Sequence, residues 1–300
     1  HVIAMRAREL GRKAVVVGDS VAVVGDVCGG PDALARIVRV EPRRSVLRRT
    51  ADDTDPVERV IVANADQLAI VTALADPEPR PRMIDRCLVA AYDAYLETLL
   101  VLTKADLADP APLISAYGDL KGVRIVVTSL EDSGDAAAQA ESSPTPATPH
   151  GVELLRGVPA LAEAILGRTT VFVGHSGVGK STLVNALVPG AARATGHVND
   201  VTGRGRHTSS SAIALELPED SGWIVDTPGV RSFGLAHVRP ETIVTHFSDL
   251  EPGIAGCPRG CTHDEPECGL DEWVAHGRAG PGGPARLESL RRLLRARTRA

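Results

Sequence analysis

The sequence predicts an α/β fold built on a mostly parallel sheet, preceded by a small β-barrel and followed by a compact metal-binding segment. Three observations carry this expectation. Buried apolar strands alternate with helices from Val60 onward; a glycine-rich loop lies between a strand and a helix at 174–182; three cysteines and a histidine crowd into 257–268. A chain of 300 residues exceeds one average domain, and 43% hydrophobic content is enough apolar mass for a core.

Taken in order, residues 14–24 (AVVVGDSVAVV) and 36–40 (RIVRV) are short, β-branched and broken by Gly and Asp, as in a small antiparallel barrel. Beyond Arg49 the acidic, polar break ADDTDPVE marks a boundary. The expected division is therefore 1–49 for the barrel, 50–234 for the α/β domain and 235–300 for the metal-binding domain with a C-terminal helix. VIVANADQLAIVTAL, IDRCLVAAYDAYLETL and LLVLTKADL read as strand, helix and strand. Residues 132–151 are small, polar and Pro-containing and read as a mobile loop. A helical pattern resumes at 152–166, TTVFV (169–173) is a short buried strand, and Leu287, Leu290, Leu293 and Leu294 form one face of a final amphipathic helix.

Bulk properties exclude several classes. No apolar run approaches the ~18 residues a membrane-spanning helix requires. The first residues carry no secretory pattern, and the chain opens on His1 rather than Met, which is compatible with sequence missing before it. Five cysteines do not read as a secreted disulfide framework: Cys28 and Cys87 stand alone, and the remaining three crowd beside His263. That clustering favours a metal in a reducing compartment, so the cytoplasm is the expected location. Net charge of −5 argues against a whole-molecule electrostatic attraction to nucleic acid. Six arginines nevertheless crowd 36–49 and six more 286–299, each set either a local phosphate-binding patch or a solvated face.

The segment GHSGVGKST comprises Gly174, His175, Ser176, Gly177, Val178, Gly179, Lys180, Ser181 and Thr182. It fits G-x-x-x-x-G-K-[ST] and follows directly on TTVFV. Glycines let successive N–H groups turn inward around phosphates, and the next helix aims its N-terminus at them. Lys180 is expected to reach the β/γ-phosphates and Ser181 to ligate Mg²⁺. DTPG, Asp226 to Gly229, follows the apolar strand WIV, where an acid that reaches Mg²⁺ through water belongs; the Gly229 N–H would face the γ-phosphate.

TKAD closes the strand LLVL with Thr103, Lys104, Ala105 and Asp106. A carboxylate there can accept from guanine N1–H and the 2-amino group, whereas adenine presents an acceptor at N1, so Asp106 would exclude ATP. Lys104 would lay its stem along the base. Taken alone, TKAD is a weak signal, more often a helix cap than a base reader. Thr103 replaces the Asn of the common NKxD; it keeps a hydroxyl but loses the amide that usually ties this loop to the phosphate loop. Ser129 and Leu130, after the strand VRIVV, resemble the companion base-backing loop. Ordinary small GTPases run phosphate loop, switch I, DxxG, base motif. Here the base motif and its companion precede Lys180 and DTPG follows it, a cyclic shift of the whole set that the proximity of domain termini permits.

Cys257-x₃-Cys261-x-His263-x₄-Cys268 supplies three thiolates and an imidazole, the donor set of a closed tetrahedral Zn²⁺ site with a structural role. A disulfide would leave an odd thiol and ignore His263.

With these residues in place, the sequence resembles the ribosome-small-subunit-dependent GTPase A family of circularly permuted GTPases. The resemblance rests on VVGDSV (16–21), ANADQ (63–67), IDRCLV (84–89), TKAD, GHSGVGKST, GRGRHTSS (203–210), DTPGVRSFGL (226–235) and CPRGCTH (257–263). It implies an OB-like, RNA-binding barrel, a permuted GTPase domain and a zinc domain. It also implies GTP hydrolysis to GDP with Mg²⁺, stimulated by the small ribosomal subunit late in its maturation, with hydrolysis driving release from the subunit and its rRNA. A monomer with no membrane partner is expected. Residue by residue it makes Thr208 the switch I hydroxyl on Mg²⁺, with Ser209 standing where relatives often show another Thr. Val230 occupies the position of the usual water-orienting Gln, and an apolar side chain cannot orient water. The resemblance assigns that task to His207, whose imidazole is chemically able to do it; the plain alternative is a polar loop residue. The two longer metal-ligand gaps are each one residue shorter than the family often shows, so the loop path is expected to differ while the ligands stay.

Two other readings remain open on the residues alone: an RNA-binding scaffold that uses GTP only as a structural ligand, and a GTPase serving another nucleic acid such as tRNA. Because only residues 230–256 separate DTPG from Cys257, nucleotide state is expected to reach the metal segment, whereas the barrel enters through the base-reading half and is expected to stay fixed.

Overall fold

A computed structural model describes residues 1–11, 14–30, 33–129, 154–191, 212–229 and 233–298. The expected loop at 132–151, together with Leu130, His207, Thr208, Ser209 and Val230, lies outside the described residues.

The chain begins with a three-stranded sheet in the order β1 (Ala4–Arg6), β3 (Ala35–Val40), β2 (Val21–Gly25), in which β1 and β3 run parallel. Residues 14–20, expected to be strand, are not. Gly18 takes a left-handed φ of +87°, and the Asp19 carboxylate accepts the Val16 N–H at 2.8 Å and Arg43 Nε at 2.7 Å, a turn rather than a ladder. An antiparallel ribbon follows, β4 (Val46–Arg49) with β5 (Arg59–Ala63). The division expected after residue 49 thus falls between two paired strands. Bonds from Ala63 N–H to Val17 O (2.9 Å) and from Asn64 Nδ2 to Gly18 O (2.9 Å) carry the ribbon back onto the first sheet.

The main sheet has seven strands in the order β11 (Ile213–Glu216), β12 (Gly222–Asp226), β10 (Arg168–Gly174), β6 (Gln67–Ala73), β7 (Glu97–Thr103), β8 (Val123–Val127) and β9 (Leu154–Arg156). All neighbours are parallel except β11 on β12. Its connections are α1 (Pro81–Asp93), α2 (Ala111–Tyr117), α3 (Gly157–Ala164) and α4 (Lys180–Leu187). Residues 154–156, expected to open a helix, pair instead with Ile125–Val127, and the helix starts at Gly157 with φ +82°. Strand periodicity of two sorts the apolar residues into two cores. Leu68, Ile70, Leu100, Leu102 and Ile125 face α1 and α2, while Ala69, Val71, Leu99, Val101 and Phe172 face α3 and α4. The first core continues without a break through Phe233, Leu235, Ile243 and Phe247 into α5 (Pro240–Ile243), α6 (Gly269–Ala275) and α7 (Gly283–Thr298), where Leu287, Leu290 and Leu293 are buried. No described helix is long and apolar enough to cross a membrane.

Candidate functional site

Parallel strands bring every loop at their carboxyl ends to one edge, and the sequence motifs are loops at that edge. β10 lies between β12 and β6 in the sheet. The loop that leaves it has left-handed glycines at 177 (φ +84°) and 179 (φ +87°), the second capping α4. A Cβ on Gly174 would sit 2.6 Å from the Val71 carbonyl oxygen, so only glycine lets β10 turn so close to β6. The turn presents backbone N–H groups and the N-terminus of an eight-residue helix, a site suited to anions.

Lys180 is buried, its ammonium bonded to the Asp226 carboxylate and to the Thr227 carbonyl at 2.5 Å. The pairing register sets this meeting: Phe172 of β10 lies opposite Asp226, the last residue of β12. The Thr227 hydroxyl donates to the Phe172 carbonyl at 2.7 Å and locks the start of DTPG against β10. Thr227 was not singled out from the sequence, although it stands inside the motif. At the other end of DTPG, a Cβ on Gly229 would be 3.3 Å from Ser176 N, so this glycine lies against the phosphate loop. Ser181 and Thr182 are half-buried on the first turn of α4, and His175 Nδ1 lies 3.0 Å from the Ser176 carbonyl.

TKAD leaves β7, two strands from β10. Thr103 lacks the amide of NKxD but ties this loop to the phosphate loop with the hydroxyl it keeps, which is buried, lies 2.6 Å from the Val178 carbonyl and donates across the two loops. A two-carbon side chain suffices because β7 already stands close; the Cβ position of Gly179 is 3.6 Å from Thr103 Oγ1. Lys104 has φ +60° and its ammonium bonds to the Asp76 carbonyl. The Ala105 N–H donates to the Thr128 carbonyl at 3.1 Å, joining the base motif to its companion loop, where Ser129 is half-buried. Asp106 is exposed at the same edge, its carboxylate accessible to a base. The wide concavity of about 940 Å³ between 118–124 and 277–282 is elsewhere, at the amino ends of β7 and β8, and takes no part in this constellation.

The four predicted metal ligands converge: the donor atoms of Cys257, Cys261, His263 and Cys268 all lie within 4.8 Å of one another. Cys257 Sγ is 3.6 Å from His263 Nδ1 and 3.9 Å from Cys268 Sγ, and Cys268 Sγ is 3.9 Å from His263 Nδ1. Zn–S and Zn–N bonds of about 2.3 and 2.0 Å in a tetrahedron require edges of about 3.5–3.8 Å, which Cys257, His263 and Cys268 nearly meet. Cys261 needs a small inward shift of its thiol, which donates to Glu265 at 3.3 Å. Glu265 braces the loop by accepting the Thr262 N–H (3.0 Å) and hydroxyl (2.8 Å), and these bonds hold its carboxyl down at about 2.

Most arginines of the two clusters are occupied. Arg43 pairs with Asp19, Arg44 with Asp66 and Arg39 with Glu41. On α7, Arg291 binds Asp271 and the His263 carbonyl, Arg295 binds Asp264, and Arg286 is buried against Asp85 and Asp249. The C-terminal set is therefore mainly a brace that holds the metal loop and α7 to the α/β domain.

A phosphate loop on β10, DTPG on its neighbour β12 and a TKAD loop that precedes both in the chain define a GTPase of permuted connectivity. The chain belongs to the RsgA GTPase family, whose model matches residues 40–236. It is 35% identical over 289 residues to "Small ribosomal subunit biogenesis GTPase RsgA" of Pseudomonas aeruginosa (strain LESB58), covering 94% of this chain and 75% of that one. The protein of the same name from Gemmatimonas aurantiaca is 34% identical over 276 residues, 91% of this chain and 82% of its own. Among solved structures, YjeQ from Thermotoga maritima matches with a TM-score of 0.67 and 27% identity, over 99% of this chain and 90% of that one. YloQ, described as a circularly permuted GTPase, shares the fold at a TM-score of 0.61 and 21% identity, over 97% and 84% of the two chains. The chain accordingly hydrolyses GTP.

Proposed function

We propose that this GTPase is an assembly factor that binds the small ribosomal subunit and its rRNA late in maturation, and that subunit-stimulated hydrolysis of GTP to GDP drives its release. The observation that carries the reading is the convergence of the Lys180–Asp226 pair and the TKAD loop at one sheet edge, in a chain whose relatives are named for small-subunit biogenesis. In this reading Lys180 serves the β/γ-phosphates, Ser181 and Thr208 ligate Mg²⁺, Asp226 reaches it through water, and residues 174–182 and Gly229 cradle the phosphates. Asp106 reads guanine, supported by Thr103, Lys104, Ala105, Ser129 and Leu130, and His207 orients the attacking water. Cys257, Cys261, His263 and Cys268 hold one structural Zn²⁺. Residues 1–49, 50–234 and 235–300 act as an OB-like RNA-binding barrel, GTPase domain and zinc domain in a monomeric cytoplasmic protein.

The test is multiple-turnover GTP hydrolysis with and without small subunits, alongside co-sedimentation with small and large subunits under GTP, GDP and a non-hydrolysable analogue. Stimulation and retention by small subunits alone are expected. A turnover rate indifferent to subunits, or equal retention on large ones, would refute the reading. His207→Ala is expected to leave nucleotide affinity intact and slow the stimulated rate.

A further inference from the structure

Two adjacent residues of IDRCLV take no part in the site described above, and they lead in different directions. Asp85 binds Arg286 of α7. Arg86 reaches the opposite way: Nη1 donates to Asp53 Oδ1 at 2.6 Å and to the Phe233 carbonyl at 3.1 Å, and Nη2 donates to Asp53 Oδ2 at 2.5 Å. Asp53 also accepts the Leu235 N–H at 3.1 Å. Beside this pair, Thr50 and Gly234 exchange backbone bonds of 3.0 and 3.3 Å, and Thr50 Oγ1 accepts the Ala236 N–H at 3.1 Å. A Cβ on Gly234 would lie 2.3 Å from the Asp52 carbonyl oxygen, so the approach requires glycine. Phe233–Ala236, the segment after the DTPG loop, is therefore clasped by the linker that leaves β4 and by α1.

We propose that Arg86 and Asp53 are positioning residues for GTP hydrolysis, anchoring the far root of the DTPG loop and passing its displacement into the β4–β5 ribbon. The loop has two roots. One is β12, fixed in the sheet and ending on Asp226; the other is Phe233, whose place is set by these bonds. The side chains of Asp53 and Arg86 are 10% and 22% exposed, so the pair is largely shielded from water and salt. A guanidinium can satisfy a carboxylate and a carbonyl from one rigid fork, which an ammonium cannot do. Burial alone would raise the Asp53 carboxyl, but Arg86 and the Leu235 N–H bring it below its ordinary value, so the anchor is ionised at neutral pH. None of these groups touches the phosphate loop or TKAD in the described contacts, so binding and chemistry separate. The clasp joins the linker between β4 and β5, where Thr50 and Asp53 lie, to the segment that follows DTPG.

The experiment compares basal kcat, GTP KM and GDP affinity, without ribosomal subunits, in the wild type, Arg86→Gln, Arg86→Lys, Asp53→Asn and the Asp53→Asn/Arg86→Gln double variant. Expected is a fall in kcat of roughly three- to thirtyfold at near-constant KM and GDP affinity. Arg86→Lys should be intermediate, and the double variant no worse than the worse single, because both changes remove one anchor. Wild-type kcat in the single variants, or additive losses that track KM, would overturn the proposal. Should those variants fail to fold, Thr50→Val removes only the side-chain bonds; slower turnover at an unchanged melting midpoint supports the clasp, and wild-type turnover overturns it. The readout is basal hydrolysis, so failure of the small-subunit reading would leave this result interpretable.

Discussion

Replacing Arg286 with Met should destabilise the protein severely and in a pH-dependent way. The guanidinium is buried, with its side chain 3% exposed; it donates from Nη1 to Asp85 Oδ1 at 2.7 Å and from Nε to Asp249 Oδ2 at 2.8 Å. Met keeps the apolar volume over Phe247, whose ring centre lies 4.8 Å from the guanidinium carbon, and removes only the charge. What remains is Asp85, with its side chain 2% exposed and the Tyr117 hydroxyl at 3.3 Å, and Asp249, whose Oδ1 already has no partner among the described residues. Leaving a buried charge uncompensated costs about 3–5 kcal/mol, whereas the lost cation–π contact is worth about 1–2 kcal/mol at most, so the stranded carboxylates dominate. At about 2–4 °C per kcal/mol for a protein of this size, the melting midpoint should fall by roughly 6–20 °C. Burial holds the Asp85 carboxyl above its ordinary value against the pull of Arg286, and without Arg286 it must rise further. The folded state then holds that proton more tightly than the unfolded state. Stability of the variant therefore recovers as pH falls through the raised value, and the deficit is largest at neutral pH and above. Differential scanning calorimetry of both proteins at pH 8 and pH 5.5 measures this. A midpoint shift under about 2 °C at pH 8, below the range for one kcal/mol, or an equal deficit at both pH values, would refute the reasoning.

Other outcomes follow from the same contacts. Thr103→Val keeps the shape but strands the Val178 carbonyl, so nucleotide affinity should weaken by up to about 1–3 kcal/mol in titration calorimetry, while Thr103→Ser should retain it. Asp106→Asn should weaken guanine and favour xanthine nucleotides; an unchanged GTP/XTP preference would show that TKAD is not the base reader. Lys180→Ala should abolish turnover, because the phosphate loop loses its one buried cation among the described residues. If the Cys/His cluster holds Zn²⁺ as proposed, a strong chelator should melt residues 257–268 first, seen as loss of hydrogen-exchange protection there before the main sheet responds; unchanged protection would mean that α7 holds the segment without metal.

The legible part of this protein was its loops. GHSGVGKST, DTPG, TKAD and the Cys/His spacing each demand particular residue types over a few consecutive positions, and close-range chemistry of that kind is written contiguously in a chain. Strands β6, β7 and β10 were legible too, because strands buried on both faces of a parallel sheet are continuous apolar runs. Tertiary structure decided what depends on approach between distant segments. That Thr103 reaches Val178 with a hydroxyl follows from the spacing of β7 and the phosphate loop, which no local pattern encodes. Residues 154–156 became a strand because the edge of β8 was available, overriding a local helical pattern. The arginines at 286–295 look like a basic patch in sequence, yet Asp85, Asp249, Asp264 and Asp271, as far as 201 positions away, turn them into a brace. Likewise Asp53 and Arg86 carry no signal beyond their place in an acidic break and in IDRCLV. Their meaning comes from a third segment, Phe233–Ala236, brought between them only when the sheet and its helices close.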